Sequence, residues 1–345
     1  MKLLNSRTFA AVLVAGLLAF TPNKSRAEVT LEMAYMPIIP CSQLFVIEGM
    51  GWAKKAGINL KLTRFSNGPA IVQAIASGKM DAMCFGIGPA MVARGKGVNL
   101  KVVASNIVAQ VSVVAQGDLV KYFDKYNDGA KALRAFAKDK GRKAKIASFP
   151  KGSVPDTVTR HWLLRTNKMK VSEVELIGMG AARVQQALLT RSVDAAGILE
   201  PILTIVTSKL KGAKIVAGTK DMMPGHPGAT MAVREPIIKK HRAAIVKYIE
   251  LHIKATNLLL KNPEAAAPYV KEFIAKGLLE ESVVLKALKS SGANFMADPH
   301  KIQNQTLYMH DFQKAEKINK KVSVKGLFDM SVYDEAVKNM KMMKK

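Results

Sequence analysis

The residues of this chain that could do chemistry are few and widely spaced. There are two cysteines, Cys41 and Cys84, and six histidines, His161, His226, His241, His252, His300 and His310. None of them falls in a C-x-x-C pair, a His-Glu-x-x-His run or another spacing that would gather a metal, so neither a metal nor a cofactor is expected. No serine sits in a G-x-S-x-G elbow. Ser153 has no evident His/Asp partners, because His161 lies two turns further along the same predicted helix. Catalysis is therefore not expected, and what remains is the chemistry of binding.

The stretch FPKGSVPDTVTRHWLLRT (149–166) is where that chemistry concentrates. A strand ends at Phe149-Pro150, a glycine loop follows, and Ser153 stands as the N-cap of a helix with Pro155 in its first turn. Asp156, three residues on, completes a capping-box pattern. A helix start of this kind offers backbone N–H groups and a positive dipole end to a small anion. A second stretch has the same grammar. The strand at 81–85 runs through Gly86-Ile87-Gly88-Pro89 into another helix. Glycine at these points lets backbone approach a ligand closely. Gly86-x-Gly88 lacks the third glycine of a dinucleotide fingerprint, and there is no Walker lysine. Glu200, at the end of strand 193–199, reads equally as an acceptor for a ligand amine or hydroxyl and as a carboxylate favourable to its own helix start. His226, beside Pro227 and Gly228, reads as a ligand donor or as a surface loop residue. Cys41 and Cys84 are readable as a disulfide in an oxidising compartment, or as two buried free thiols. The second is favoured because Cys84 sits inside an apolar run.

The elements that would position these residues alternate. Strands are expected at 31–37, 58–62, 81–86, 100–106, 111–116, 144–150, 174–179, 193–199 and 213–218. Between them come helices that start at Ser42, at Asn67–Pro69, at Pro89, at 128, at 153 (running to 166), at 181 and at Pro201. An extended segment covers 226–234. From Glu235 onward the chain reads as helical, with helices to about 261 and over 263–275, 279–290, 298–318 and 331–343. The alternation predicts an α/β fold with largely parallel sheets. The predicted organisation is a first lobe of 28–114 plus 223–345 and a second of 115–222, joined by two crossovers. Ligands of open α/β sheets bind beyond the carboxyl ends of the strands, where both glycine loops fall.

The N-terminal segment reads differently. Lys2 and Arg7 precede an apolar run over 8–20, shorter than the ~20 residues of a membrane span, and Ser25-Arg26-Ala27 resembles a cleavage site. Residues 1–27 are expected to be a secretory signal peptide. The chain of 345 residues carries a formal charge of +27, and removing this segment takes away four basic residues and no acid. The remaining charge is extreme, but its lysines are spread along the chain and aromatics are only 6%. A nucleic-acid surface is therefore not expected. A field that draws small anions is.

The run NGPAIVQAIASGKMDAMCFGIGPAMVARGKGVNLKVVAS, followed by FPKGSVPDTVTRHWLL and AARVQQALLTRSVDAAGILEPIL, resembles the solute-binding proteins of sulfonate/nitrate/taurine-type ABC transporters. The resemblance covers nearly all of 28–290. It implies a two-lobed type II periplasmic binding-protein fold, a periplasmic monomer and a small-molecule ligand. It also implies a membrane permease with its ATPase as partners, and no enzymatic activity. Carried over by position, it places ligand contacts at Pro40, Cys41, Ser42 and Gln43 after the first strand. Further contacts fall at Gly88 and Pro89, at Gln110 near the first crossover, at Ser153 and Thr157, at Glu200, and at His226 and Gly228. The chain departs from the family in one respect. Gly197-Ile198-Leu199, rather than a tryptophan, precede Glu200-Pro201. Members of the family bind sulfonates, taurine, nitrate, aromatic acids or the thiamine pyrimidine precursor. A second reading, which the sequence does not separate from transport, is a sensing module that presents ligand occupancy to a membrane kinase.

Overall fold

The structure is a computed structural model and describes residues 28–343; the expected signal peptide lies outside the described residues. Among the described residues twelve strands are formed: β1 (Val29–Tyr35), β2 (Ile58–Arg64), β3 (Ala82–Gly86), β4 (Leu100–Ser105), β5 (Ile107–Val108), β6 (Ser112–Ala115), β7 (Lys145–Ser148), β8 (Glu175–Gly178), β9 (Ala195–Ile198), β10 (Lys214–Ala217), β11 (Ala229–Arg234) and β12 (Asn294–Phe295). They make two five-stranded sheets, in the orders β2-β1-β3-β11-β4 and β10-β6-β9-β7-β8, and a small ribbon of β5 with β12. Within the first sheet β2, β1 and β3 are mutually parallel, and β11 runs antiparallel between β3 and β4. In the second, β8, β7 and β9 are parallel while β6 runs against both β9 and β10. The chain thus enters the second sheet on β6 and leaves it after β10, and each passage between sheets inserts one antiparallel strand.

The local code for these elements is direct. All of β3 but its last residue is buried, as a strand covered on both faces requires. The helix Gly68–Ala76 begins where Asn67 Oδ1 accepts from the Ala70 amide at 3.0 Å, and Gly78, at φ +76°, lets the chain turn out of it. Ile71, Val72 and Ile75 make its buried stripe.

The first helix starts differently from its expected serine cap. A 3₁₀ turn over Ile39–Cys41 already curls the chain around Pro40, so Ser42 becomes the first residue of the helix Ser42–Gly49 and its hydroxyl donates back to the Ile39 carbonyl at 2.6 Å. The helix expected over 153–166 is regular only over Val154–His161 and finishes in a π turn, Trp162–Thr166. A short helix over Leu119–Lys125 was not expected.

His226 sits at the crossover itself, fully buried. Its Nε2 accepts from the amides of Gln110 at 2.9 Å and Val111 at 3.2 Å, and its Nδ1, 2.7 Å from the Met223 carbonyl, donates to it. One neutral ring thereby ties the outgoing crossover to the incoming one. Gly228, two residues on, donates to the Ile107 carbonyl at 3.0 Å. A Cβ there would lie 2.6 Å from Ile107 Cγ2 and 2.7 Å from Gln110 Oε1, so glycine is what allows the two crossovers to lie against each other. A second buried histidine, His252, donates from Nε2 to the Ser105 carbonyl at 2.8 Å, next to the same crossover.

Burial pushes both imidazoles down to about 4. Their folded values lie below the unfolded one. The stability they contribute is therefore whole above pH ~6.5 and drains away as the pH falls toward about 4. At pH 5 the loss is ~2 kcal/mol per histidine. The urea midpoint should accordingly fall between pH 7 and pH 5, and His226→Gln should make that fall smaller. An unchanged pH dependence in the variant would show that the crossover ring does not titrate as described.

Candidate functional site

The carboxyl ends of the two sheets face each other, and four contacts between them define the closed seam. The Ile39 amide donates to the Glu200 carbonyl at 3.3 Å. Gly86 lies against Val154, a Cβ on it coming 3.3 Å from Cγ2 of that valine. Gly180, the N-cap of the helix Ala181–Leu189, lies against the Ser66 carbonyl with a corresponding 3.3 Å. The tightest is Gly88 against Gly152, where a Cβ on Gly88 would stand 2.5 Å from the Gly152 carbonyl oxygen. The two glycine loops singled out in the sequence therefore meet backbone to backbone across the seam.

Ser153 caps its helix, accepting from the Asp156 amide at 3.3 Å. Asp156 does not close the reciprocal half of the capping box. Its Oδ2 takes the Gly152 amide at 2.9 Å, while the Ser153 amide turns to the Pro150 carbonyl at 3.0 Å. The reason is the left-handed conformation of Gly152, φ +84°, which points its N–H back at the helix. Arg160 lies over Asp156 with its Nε 2.9 Å from Oδ1, so the carboxylate below the loop is neutralised. Gln313 closes the other side. Its Nε2 donates to Thr157 Oγ1 at 2.8 Å and to the Gly152 carbonyl at 3.3 Å.

Deeper in the seam lie Pro40, Cys41, Ser42 and Gln43, all fully buried. Gln43 Nε2 donates to the Asn106 carbonyl at 2.7 Å. Asn106 Nδ2 donates in turn to the Pro40 carbonyl and to Cys84 Sγ, both at 3.0 Å. Cys41 and Cys84 are free thiols, and Cys41 Sγ donates to the Cys84 carbonyl at 3.0 Å. Burial and the neighbouring thiol push the Cys41 thiol well above its ordinary value. It is inert as a nucleophile at neutral pH. Gln43 Oε1, Asn106 Oδ1 and Gln110 Oε1 are buried acceptors that no described protein donor meets.

Glu200 is buried, and its two carboxylate oxygens take the amide and the hydroxyl of Thr204, each at 3.0 Å. It thus serves its own helix start. Burial raises its carboxyl above the usual range, and the Thr204 hydrogen bonds pull in the opposite direction.

A cavity of 310 Å³ opens at the mouth of the seam. Pro69, Val72, Pro89 and Val92 form its wall on the side of the first sheet, and Pro150 to Ser153 face them from the second. Of the residues expected to touch a ligand, Pro89 and Ser153 line this cavity. Pro40 to Gln43, Gly88, Thr157 and Glu200 lie deeper in the closed seam, and Gln110, His226 and Gly228 belong to the crossovers. The hydrogen-bonding capacity of the His226 ring is spent on backbone. The sequence reading did not find Lys96, Lys151 or the segment Asn319–Lys321, which also line the cavity. The first two carried no spacing signal, and the last lies far along the chain. A larger hollow of 660 Å³, between Tyr126 and Trp162 on the second sheet's outer side, is remote from the seam.

Comparison with known proteins places this geometry. The profile of the NMT1-like family matches residues 24–275. A Brucella abortus protein named as a candidate binding protein is 26% identical over 273 residues, covering 78% of each chain. Among solved structures, the periplasmic nitrate-binding protein of Synechocystis superposes with a TM-score of 0.76 at 12% identity, over 92% of this chain and 90% of that one. The alkanesulfonate-binding protein of Xanthomonas axonopodis, solved with MOPS bound, gives 0.70 at 16% identity, over 88% of this chain and 99% of that one. The fold is that of the periplasmic binding proteins.

Gly88→Ala tests the seam. Gly88 lies inside the helix Ile87–Gly95, where alanine is favoured over glycine by ~1 kcal/mol. The substitution should therefore leave the fold intact while forbidding the closed contact. The radius of gyration from small-angle scattering should rise relative to the parent protein, with an unchanged far-ultraviolet spectrum. An unchanged radius would mean that the Gly88–Gly152 contact does not hold the lobes in solution.

Proposed function

The chain belongs to the NMT1-like family, and from that premise we propose that it is the substrate-binding component of an ABC importer. It captures a small organic anion or zwitterion between its two lobes and delivers it to a membrane permease and ATPase. The lobes are 28–114 with 223–345, and 115–222, joined at the two crossovers, with the helix Gln303–Ala315 of the first group resting on the second lobe. Residues 1–27 direct export to the periplasm, where the protein works as a monomer. The nitrate- and alkanesulfonate-binding proteins that share its fold carry the names of small anions.

The observation that carries the reading is the seam. Its contacts are made by backbone and glycine, so it closes like two halves of a clamp and leaves a cavity at its mouth between residues of both sheets. A ligand shifts such a clamp only by the difference between its affinities for the open and closed forms, so it must touch both lobes. Pro89 and Ser153 stand on opposite walls and meet that requirement. The deeper acceptors, Gln43 Oε1 and Asn106 Oδ1, favour a ligand that also carries an N–H or O–H donor. The two buried thiols have each other as neighbours and Glu200 is held by Thr204, an arrangement of mutual hydrogen bonds that favours capture over turnover.

A thermal-shift panel of alkanesulfonates, taurine, nitrate and aromatic acids tests the proposal. A ligand at 100 times its dissociation constant stabilises the folded state by ~2.7 kcal/mol. One class should raise the melting midpoint and contract the scattering envelope together. A panel in which every compound leaves both unchanged would count against a receptor of this class.

A further inference from the structure

The family match ends at residue 275, yet the chain beyond it crosses the seam. The helix Gln303–Ala315 packs on the second sheet's helix Val154–His161. Gln313 is held there by Thr157 and Gly152, Tyr308 Oη lies 2.9 Å from His161 Nε2, and Glu316 pairs with Arg165. The sequence reading had placed this whole region with the first lobe. The chain then passes to the first sheet's side. The Lys321 carbonyl seats on Gly95, the Ser323 amide donates to the Met91 carbonyl at 3.0 Å, and Arg94 donates to the Lys325 carbonyl at 2.8 Å. The chain has already crossed once between Phe295, paired with Ile107, and Gln303, so residues 316–323 are the return of a second excursion across the seam, besides the two crossovers. They pass over the cavity.

What they bring to it is charge. Lys320 and Lys321 join Lys96 and Lys151 around the 310 Å³ space, and no carboxylate lines it. None of the four is ion-paired among the described residues, and the carboxylates of Asp156 and Glu316 are taken by Arg160 and Arg165. The opposite part of the lining is apolar, made by Pro69, Val72, Pro89, Val92 and Pro150. Asn319 fixes the position of the pair. Its Oδ1 accepts from the Lys321 amide at 3.0 Å, and its side chain rests on Gly152, a Cβ there coming 3.2 Å from Nδ2.

Resting on the receptor reading above, we propose that Asn319–Lys321 completes the ligand site, and that the site selects an organic anion with an apolar body and more than one negative charge. The four lysines are exposed and share the lining of one small space with no carboxylate among them, a crowding of like charge that a single negative charge offsets only in part. A dianion relieves it, while its body covers the proline and valine wall.

The test uses the mature full chain and titration calorimetry with three probes: benzoate, benzene-1,4-dicarboxylate and phenyl phosphate. The two dianionic probes should bind more tightly than benzoate, by a factor that shrinks as salt rises from 20 to 200 mM, because the rim is exposed. The exposed pair Lys320→Ala/Lys321→Ala should lose roughly fivefold in dianion affinity and only about twofold in benzoate affinity, with the melting midpoint unchanged. Asn319→Ala should reproduce part of that loss. Equal affinity for mono- and dianions, or a double variant that binds dianions as the parent does, overturns the proposal. So does tight binding of a neutral or singly charged compound that ignores the substitution, and in that case the receptor reading stands. A protein that binds no compound and never contracts loses both.

Discussion

Everything in this molecule turns on the approach of two backbones. Gly88 and Gly152 come from different sheets and different helix starts, and they touch with no side chain between them. A packed side-chain interface of interlocking knobs would resist reopening, because close-packed interiors forfeit dispersion contacts as soon as a gap appears. A contact between a glycine and a carbonyl forfeits little. The same economy recurs at Gly86 and Gly180, so the loops that meet at the seam are tight in geometry and modest in cohesion. That combination is what a reversible clamp needs. The stiffness is supplied elsewhere, by the crossovers, where the buried His226 ring and the close packing of Gly228 hold the two passing chains in one register.

The polar chemistry of the seam is correspondingly self-contained. Asp156, Arg160, Ser153, Thr157 and Gln313 form one connected set of hydrogen bonds around Gly152, so the loop keeps its left-handed turn whether or not anything occupies the mouth. Preorganisation of this kind lowers the ordering cost that a ligand would otherwise meet. Cys41, Cys84, Gln43 and Asn106 do the same for the loop after β1. They lock it with thiol and amide hydrogen bonds, and no disulfide is needed. Charge is thereby left to the rim, where the cavity walls and the lysines are.

Much of this was legible from residue order. The strand-loop-helix pattern at 81–95 and 145–161 identified both helix starts that meet, because caps, prolines and glycines are local signals. The Ser153 cap was read correctly for that reason. The Asp156 half of the box was not, since it depends on the φ of Gly152. Ser42 was displaced from its cap by the turning of Pro40 one step earlier, a competition between two valid local rules. What no local rule could supply was partnership across distance. Gln313 stands far from Thr157 in the chain, and nothing in its neighbourhood marks it as a partner of that helix. The lysines at 320 and 321 looked like part of a general positive charge until the fold brought them beside Lys96 and Lys151. His226 illustrates the reverse case. Its residue type invited a ligand role, and its three backbone partners account for the whole ring.

The central claim is that the closed seam exists to hold a small molecule. Native mass spectrometry of the exported protein, purified without denaturation from the periplasm, addresses it most directly. The account predicts a bound species of a few hundred daltons or less, released on unfolding and carrying negative charge. A protein that flies at its bare polypeptide mass, and whose scattering envelope is already contracted in that state, would contradict it, because closure would then need no ligand at all.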